Sequence, residues 1–411
     1  MVSPDAIKVN SVRRPLNVLV VNPFDEAISG NDEVLVRVME KMDRDRFKFV
    51  VVQPGDNPYA ERYRSMGAEV VFMRMSIIKR SLKTAYLARY AADFLPTVYR
   101  FGRLCRKYKI DIVHTNTTQI LGAGPAARLL RLPSIYHVHS VSIIKPEWVV
   151  RLLSLWFRAT ADMMIANSPV TAAIFTDRGF PEKKMKVVWN PVDVDAFSSE
   201  FASEDFRYEI GVEHDTPLVG IVGRVARIKC IEHFLRACAL LADRFESALF
   251  PVVGGANTEE DKMYLKELEE LTRSLGLEGR VVFTGRRTDI SNIMRSLTVL
   301  GHSCLYEGFG LVIAEAMAAG VPVVAAATGA APEIIDDDRT GYLVPFGDHS
   351  KMAEAIALLL DNPEKSKKMG EAGREKANRL WRARHIADSI AQVYLKLAGA
   401  GSEKLSKRAA S

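Results

Sequence analysis

Short runs of β-branched and other apolar residues recur along the chain and alternate with longer stretches of helical periodicity. In the N-terminal half the runs cover residues 16–21, 47–52, 69–72, 111–114, 134–138, 163–166 and 186–189. In the C-terminal half they cover residues 218–222, 249–253, 281–284, 297–302, 322–326 and 342–344. Runs that are apolar at successive positions are typical of strands buried on both faces of a parallel sheet. The pattern therefore predicts an α/β fold.

Thirteen such strands are too many for one open sheet, so the chain is expected to form two Rossmann-like domains that face each other across a cleft. We expect an N-terminal domain over residues 1–196 and a C-terminal domain over residues 197–380, joined at a polar stretch near 194–217. A helix at about 381–398 should pack back on the first domain, and residues 399–411 should form a flexible tail. Ligands of such sheets bind at the carboxyl ends of the strands.

Composition narrows the class further. The 411 residues are 48% apolar and 26% charged, which excludes a disordered or fibrous protein. The four cysteines lack CxxC spacing and indicate reduced, buried thiols. Neither Leu16–Val21 nor Leu311–Ala331 has the composition of an export signal or a membrane span, because the first is too short and the second contains Glu315 and a Gly-Val-Pro break. We expect a cytoplasmic protein, either soluble or peripheral on a membrane.

A candidate anion site follows the strand that ends at Val222. Gly223 and Arg224 come directly after it, Lys229 lies five residues further on, and a helix is predicted from about Ile231. The free amides of a helix N-terminus favour negative charge, and the two cations could neutralise two phosphates. A solvated basic loop is an equally good interpretation of this segment alone.

A second candidate site surrounds Glu307 and Glu315. Gly308 and Gly310 lie in the loop after Glu307, and glycine lets backbone amides approach a ligand closely. Glu315 is predicted to lie in the first turns of an otherwise apolar helix, where a carboxylate is costly unless it meets hydroxyls or a cation. The vicinal diol of a ribose or sugar suits such an acceptor, and pairing with a nearby arginine is the alternative.

Taken in order, the motifs of this half resemble those of the family-four retaining glycosyltransferases of the GT-B fold. They are Gly223-Arg224-x4-Lys229, Gly254-Gly255, Val281-Val282-Phe283-Thr284-Gly285, Glu307-x7-Glu315, Pro322-Val323-Val324 and Gly329-x3-Glu333. The resemblance implies that Arg224 and Lys229 hold a nucleotide diphosphate and that Glu307 contacts the donor sugar. It also implies that Glu315 accepts hydrogen bonds from the ribose hydroxyls and that the Gly310 and Leu311 amides bind the sugar phosphate. Gly223, Gly308 and Phe309 are further donor-binding residues that the resemblance implies.

The N-terminal half matches the family less closely. His137 and His139 should lie on one side of their strand because side chains alternate along it. The resemblance implies that His139 contacts the donor sugar from the acceptor domain; a structural histidine bonded to backbone is the alternative. Residues 28–32 occupy the place of the family's glycine-rich loop for the diphosphate and the acceptor, which implies that Gly30 binds the donor, but they supply one glycine where two are usual. Cys230 after the lysine, Pro191 after Asn190, and Ala330-Ala331 are further departures.

By resemblance, the activity is transfer of a sugar from a nucleotide-sugar, such as a UDP-sugar, to a hydroxyl acceptor with retention of configuration. The catalytic residues implied are Arg224, Lys229, Glu307 and His139, without a metal cofactor. Synthesis of cell-envelope polysaccharide, lipopolysaccharide or glycolipid is the expected context. A non-catalytic nucleotide-sugar-binding partner and a nucleotide-sugar epimerase of the same fold remain alternatives.

A metal site and a dehydrogenase are less consistent with the sequence. Asp193-Val194-Asp195 matches the DxD pattern that holds a metal in other glycosyltransferases, since hard cations prefer carboxylates, but so short a pattern often arises by chance. A dehydrogenase is excluded because Asn22-Pro23, and no GxGxxG, follows the first strand.

Most of the excess positive charge lies in one segment. The chain has a net charge of +6, and residues 79–109 hold nine cations and one anion, with aromatic residues interleaved and a break expected at Pro96. Such a segment suits an anionic membrane surface; a helix packed on its aromatics with solvated cations is the alternative. No nucleic-acid-binding fold accompanies the charge, so nucleic acid is not an expected partner.

Overall fold

Two parallel sheets, each covered by helices, make up the computed structural model, which describes residues 14–23, 30–78, 84–139, 147–198, 205–213 and 215–409. The N-terminal sheet has the order β3-β2-β1-β4-β5-β6-β7 and the C-terminal sheet has the order β10-β9-β8-β11-β12-β13. The strands are β1 Leu16–Val21, β2 Phe47–Gln53, β3 Glu69–Phe72, β4 Ile112–Thr115, β5 Ser134–Val138, β6 Met163–Ala166, β7 Met185–Val187, β8 Val219–Val222, β9 Phe250–Val253, β10 Val281–Gly285, β11 Val299–His302, β12 Val323–Ala326 and β13 Gly341–Val344. Each overlaps a predicted run, so the two-sheet α/β prediction is confirmed.

Helices alternate with the strands, as parallel connections require. Those that follow strands of the N-terminal sheet, and the link to the second sheet, are α1 Gly30–Lys41, α2 Pro58–Ser65, α3 Thr84–Lys107, α4 Ala123–Leu129, α5 Glu147–Thr160, α6 Pro169–Thr176, α7 Val194–Ser198 and α8 Asp205–Glu209. The remainder are α9 Ile231–Ala242, α10 Glu259–Ser274, α11 Ile290–Ser296, α12 Leu311–Ala319, α13 Ala331–Ile334, α14 His349–Asp361, α15 Pro363–Leu380 and α16 Ala383–Ala409. Among the described helices, none combines the length and apolar character needed to cross a bilayer.

Each sheet has one point where the strand order reverses direction. It lies between β1 and β4 in the N-terminal sheet and between β8 and β11 in the C-terminal sheet. Loops leaving the two central strands on opposite sides open a crevice there, and ligands of open α/β sheets bind in that crevice. The residues after Val222 and His302 therefore face a natural binding position.

The chain crosses between the two domains twice, at adjacent positions. The Val192 amide donates to the Trp381 carbonyl over 2.8 Å, and Val192 also forms a backbone bridge with Arg382. Helix α16 then returns to the N-terminal sheet, where Ile390 and Tyr394 join its core. Helix α16 continues to Ala409, through most of the segment expected as a flexible tail; alanine, lysine, glutamate and leucine are good helix formers.

Pro96 does not break α3, contrary to the prediction from sequence. The helix runs through it from Thr84 to Lys107. An interior proline costs about 3 kcal/mol because it removes one backbone hydrogen bond. Burial of Phe101 and Cys105 in the core next to the sheet offsets that cost, since tertiary packing of an apolar face supplies most helix stability. Residues 79–83 of the basic segment lie outside the described residues.

Candidate active site

The carboxyl ends of β8 and β11 form the wall of a cleft in the C-terminal domain. The cleft is lined among others by Gly223, Arg224, Lys229, His302 and Cys304. The loop after β8 is shaped by a close backbone crossing, because a Cβ at Gly254 would collide with the Gly223 carbonyl oxygen. Gly223 itself has φ +144°, a conformation available to glycine alone. These two glycines place Arg224 and Lys229 at one end of the sheet.

Lys229 and Glu307 form an ion pair in this cleft. The Lys229 Nζ lies 2.7 Å from Glu307 Oε2, and both side chains are largely buried. Burial opposes a charge on either group, but the carboxylate raises the pKa of Lys229 above its usual value. The same attraction, with help from His302, lowers the pKa of Glu307 well below its usual range despite burial. Both groups therefore stay charged, and the ammonium is available to a second anion.

Arg224 is held loosely beside this pair. Its side chain is about half exposed, and its Nη1 lies 3.8 Å from Asp261 Oδ2. An exposed pair at that distance contributes little to stability. The guanidinium can therefore turn toward an anionic ligand without breaking a strong contact.

The loop that carries Glu307 forms hydrogen bonds with the N-terminal domain. The Gly308 carbonyl accepts hydrogen bonds from Ser168 Oγ over 2.5 Å and from Thr171 Oγ1 over 3.1 Å. Both donors belong to the N-terminus of α6, and the Val170 amide there donates to Glu333 Oε1 over 2.7 Å. The loop is thus fixed from the opposite domain, in the strand-end position where a ligand between the domains would lie. Sequence reasoning missed Ser168 and Thr171; the Ser-Pro start of a helix after a strand was the available signal.

Gly310 sets the start of α12. It has φ +85° at the N-cap position, and a Cβ there would come within 3.1 Å of Ile313. The first amides of α12, beginning at Leu311, consequently point toward the loop after Glu307, where the helix dipole favours an anion.

Replacing Gly310 by alanine should lower the free energy of unfolding by about 1–2 kcal/mol, because a left-handed conformation costs a residue with Cβ that much. Gly102 is the matched control: it lies inside α3 with open space around the Cβ position. There the same substitution should raise stability by roughly 0.5–1 kcal/mol. Chemical denaturation of both variants checks the pair, and effects of equal sign would contradict the assignment.

Phe309, one of the residues expected to bind the donor, has its side chain in the interior of the protein. It is buried between Trp189 and Trp381, with ring centroids 5.8 and 6.0 Å away. Burying an aromatic ring of this size is strongly favourable, so Phe309 anchors the loop that carries Glu307.

Glu315 is buried in α12, as expected, but it has a cation partner. Both Nη atoms of Arg37 lie 3.2 Å from its Oε1, and Arg37 also contacts Glu33 and the Pro191 carbonyl. Burial raises the pKa of Glu315 and Arg37 partly offsets this. The structure thus contains the ion pair between Glu315 and an arginine, which was the alternative to a carboxylate that binds ribose hydroxyls. Arg37 lies 278 residues away, and no sequence signal connected the two.

His139 lies at the end of β5 in a cluster of buried imidazoles. Its Nε2 is 2.6 Å from Asn116 Oδ1, its ring is 3.9 Å from that of His137, and His137 stacks on His114. Its carbonyl accepts from Asn167, the residue before Ser168. Asn167 and Ser168 thus link His139 to the Gly308 carbonyl of the opposite domain. The expected placement of His137 and His139 on one side of the strand is confirmed.

Acidification should destabilise the protein through this cluster. Burial lowers the pKa of His139 to about 4 and that of His114 to about 3. Between about pH 6.5 and 4 the unfolded chain therefore binds more protons than the folded one, and stability falls as pH falls, by about 1.4 kcal/mol per pH unit per histidine.

Denaturation of the wild type and of His114→Gln at several pH values between 7 and 5 checks this expectation. A plot of the free energy of unfolding against pH should be less steep for the variant than for the wild type, by roughly 1 kcal/mol per pH unit. Identical slopes would show that His114 takes up its proton in the folded state as readily as in the unfolded state.

The remaining predicted positions are less informative. Gly30 is the exposed first residue of α1, while residues 24–29 of the preceding loop lie outside the described residues. Asp195 of the DxD pattern pairs with Arg382 over 3.0 Å, and Asp193 accepts from the Ala196 amide. All four cysteines are buried free thiols, as predicted.

Comparisons with known proteins decide the family. Residues 28–196 match the model of Glycosyltransferase Family 4, and residues 202–376 match that of Glycosyl transferases group 1. The D-inositol 3-phosphate glycosyltransferase of Corynebacterium jeikeium is 33% identical over 318 residues, which cover 72% of this chain and 75% of that protein. The chain belongs to the group 1 glycosyltransferases.

Solved structures agree with this assignment. The group 1 glycosyltransferase described here matches Anabaena HepE in complex with UDP-glucose with a TM-score of 0.78 and 25% identity, over 92% of this chain and 99% of that one. Sucrose-phosphate synthase of Thermosynechococcus elongatus matches with a TM-score of 0.75 and 22% identity, over 94% of this chain and 100% of that one. The chain therefore has the GT-B fold and is an enzyme that transfers sugars, as the sequence motifs indicated.

Proposed function

We propose that this group 1 glycosyltransferase takes a sugar from a UDP-sugar or a related nucleotide-sugar and transfers it to a hydroxyl acceptor with retention of anomeric configuration. One observation carries the proposal: Lys229, paired with Glu307, lies with Arg224 in a single cleft at the strand-order reversal of the C-terminal sheet. The complex of Anabaena HepE with UDP-glucose supports the donor class.

In this proposal the diphosphate lies against Arg224, Lys229 and the first amides of α12. Negative charge builds up on the departing diphosphate, so fixed cations and amides directed at it lower the barrier most. Glu307 accepts hydrogen bonds from the donor sugar, and His139 approaches the sugar from the opposite wall. The leaving phosphate takes the acceptor proton, so no separate base is assigned, and neither is a metal cofactor.

A thermal-shift panel of UDP-, GDP- and ADP-sugars tests the donor. A ligand of the native state at about 100 times its Kd stabilises it by about 2.7 kcal/mol, so the true donor should stand out. Incubation with that donor alone and then with acceptors, D-inositol 3-phosphate among them, separates transfer from epimerisation. A new sugar in the donor-only reaction would indicate an epimerase, and binding without any product would indicate a non-catalytic partner. Transfer should persist in EDTA, and NMR of the product reports the anomeric configuration.

We further infer that the N-terminal domain docks on an anionic membrane surface, which suits an acceptor in polysaccharide, lipopolysaccharide or glycolipid synthesis. Helices α3 and α5 are neighbours, because Phe94 and Trp156 are in ring contact. Both expose large apolar side chains: Leu87, Leu95 and Tyr99 on α3, and Trp148, Leu152 and Leu155 on α5. Helix α3 also carries the exposed cations Arg89, Arg103 and Arg106, and cations combined with an exposed apolar face favour anionic lipid.

Vesicle flotation tests the docking surface. The protein should float with vesicles containing phosphatidylglycerol and much less with pure phosphatidylcholine. Changing Trp148, Leu152 and Leu155 to serine should abolish flotation, whereas Tyr208→Ser, at an exposed residue of α8, should not. Equal recovery with both vesicle types, or an unaffected triple variant, would remove the proposal.

A further inference from the structure

His302, Cys304 and Glu307 form a cluster of potential metal ligands beside the Lys229 ammonium. One ligand atom from each lies within 4.8 Å of the others. Among the residues that the structure describes, this is the only group of three or more His, Cys, Asp or Glu side chains so arranged. His302 ends β11, and the loop after that strand brings Cys304 and Glu307 back toward it.

His302 is the feature of this cluster that ordinary packing leaves unexplained. It is 3% exposed, and apart from the approach of its Nε2 to Glu307 neither ring nitrogen has a partner within the described part of the chain. Its Nε2 is 3.4 Å from Glu307 Oε2, so the nitrogen faces the carboxylate. A buried polar atom without a partner costs about 1–3 kcal/mol. A bound ligand that contacts the imidazole would remove this cost.

We propose that His302, Cys304 and Glu307 bind Zn²⁺ or another thiophilic divalent cation. A nitrogen, a sulfur and a carboxylate oxygen are the donor set that zinc prefers, and three protein ligands leave the fourth tetrahedral position open. Ligand bonds of about 2.0–2.3 Å set the distance between two donor atoms on one ion. To reach it, the two ligand atoms that lie farthest apart must approach each other by up to about one ångström. The cavity lined by Lys229, His302 and Cys304 provides the entry path.

Binding has a cost as well as a gain. The Cys304 thiol contacts the Ile228 and Tyr306 carbonyls at 3.1 Å each, and it must leave them and release its proton to solvent when it ligates. Glu307 Oε2, the oxygen that faces His302, is also the one that pairs with Lys229, so ligation through it draws the carboxylate away from the ammonium. The bound ion therefore removes Glu307 from the Lys229 pair. If the proposed function holds, the ion takes away the group assigned to the donor sugar, so zinc should inhibit transfer.

Cobalt spectroscopy tests the site without relying on activity. Added to the reduced full-length protein, one equivalent of Co²⁺ should give a near-ultraviolet thiolate-to-cobalt charge-transfer band and the visible bands of tetrahedral coordination. Zn²⁺ should abolish them, whereas Mg²⁺, which prefers oxygen ligands, should not. Cys304→Ser should remove the charge-transfer band, while Cys105→Ser, at a buried thiol of α3, should retain it.

His302→Gln keeps the thiol and is the second variant in case Cys304→Ser does not fold. It should weaken Zn²⁺ binding, measured by competition with a chromogenic chelator, by roughly tenfold or more. Absence of a band in the wild type, or a band of full strength in Cys304→Ser, would overturn the proposal. Zinc inhibition of transfer, expressed for each protein relative to its own zinc-free rate, is a separate readout: binding without inhibition would refute only the role given to Glu307.

Discussion

Replacing Lys229 by alanine should lower kcat/KM for sugar transfer by about 10²–10³, because in the proposed function the substitution removes a fixed charge that faces the leaving diphosphate. The ammonium is already in place before any ligand binds, held 2.7 Å from Glu307 in a cleft that water reaches poorly. A charge that is already in place needs no reorganisation as the transition state forms. Its loss therefore lowers the rate of transfer directly. The measurement is steady-state release of nucleoside diphosphate with the donor identified by the thermal-shift panel.

Arg224→Ala is the control that separates catalysis from stability. Both variants should transfer sugar slowly, but their folding should differ. Lys229→Ala leaves the Glu307 carboxylate without its cation and should lower the unfolding midpoint, whereas the half-exposed Arg224 has only a distant partner at 3.8 Å. Its loss should change the free energy of unfolding by no more than about 0.5 kcal/mol.

A double variant, Lys229→Met with Glu307→Gln, completes the test. It should regain stability, since no buried charge remains unpaired, while transfer stays low. Near-normal turnover by Lys229→Ala would refute the assignment of this cleft to the diphosphate. Recovery of turnover in the double variant would show that the loss in Lys229→Ala came from misfolding around Glu307.

The strands could be predicted from sequence because their signal is local. Met163–Ala166 is apolar at every position, and Ser134–Val138 is apolar at most of them; the observed bounds of both strands match the predicted runs. The anion site followed from equally local features, namely glycines after a strand and cations before a helix. Pro96 shows the limit of local reasoning, because the packing of α3 on the core outweighs a strong local preference.

Contacts between the two domains could not be predicted. The hydrogen bonds from Ser168 and Thr171 to the Gly308 carbonyl join residues about 140 positions apart, and nothing in either segment specifies the other. The interior position of Phe309 has the same origin, since Trp189 and Trp381 come from distant parts of the chain. Such contacts depend on how two folded domains meet, which a single sequence does not encode in any local pattern.

The Arg37 guanidinium joins the two domains, because it contacts Glu315 and the Pro191 carbonyl from helix α1. Arg37→Met should lower the free energy of unfolding by about 3–5 kcal/mol, as removal of one partner from a buried ion pair leaves the other charge uncompensated. Glu315 is the group left behind, with its side chain only 8% exposed. Glu33, the other partner of Arg37, keeps Arg62 at 2.8 Å.

Arg62→Met is the matched control for this variant. Arg62 also contacts Glu33, but its side chain is 43% exposed, and exposed pairs contribute about 0–1 kcal/mol. The double variant Arg37→Met with Glu315→Gln should recover most of the lost stability, because it removes both buried charges at once. Equal losses for Arg37→Met and Arg62→Met in urea denaturation, or no recovery in the double variant, would contradict the role of this pair.

The same variants distinguish the two roles considered for Glu315. If the carboxylate serves only to hold Arg37, then Glu315→Gln should leave the affinity for UDP unchanged, since α12 and its first amides stay in place. If Glu315 also accepts the ribose hydroxyls, the substitution should weaken UDP about tenfold, the effect of one lost hydrogen bond to a charged group. Calorimetry with UDP decides between them, and Glu33→Gln, which disturbs Arg37 from its exposed side, should leave the affinity unchanged in either case. A tenfold loss for Glu315→Gln alone would mean that ribose displaces Arg37, so that donor binding and the contact between the domains compete for one carboxylate.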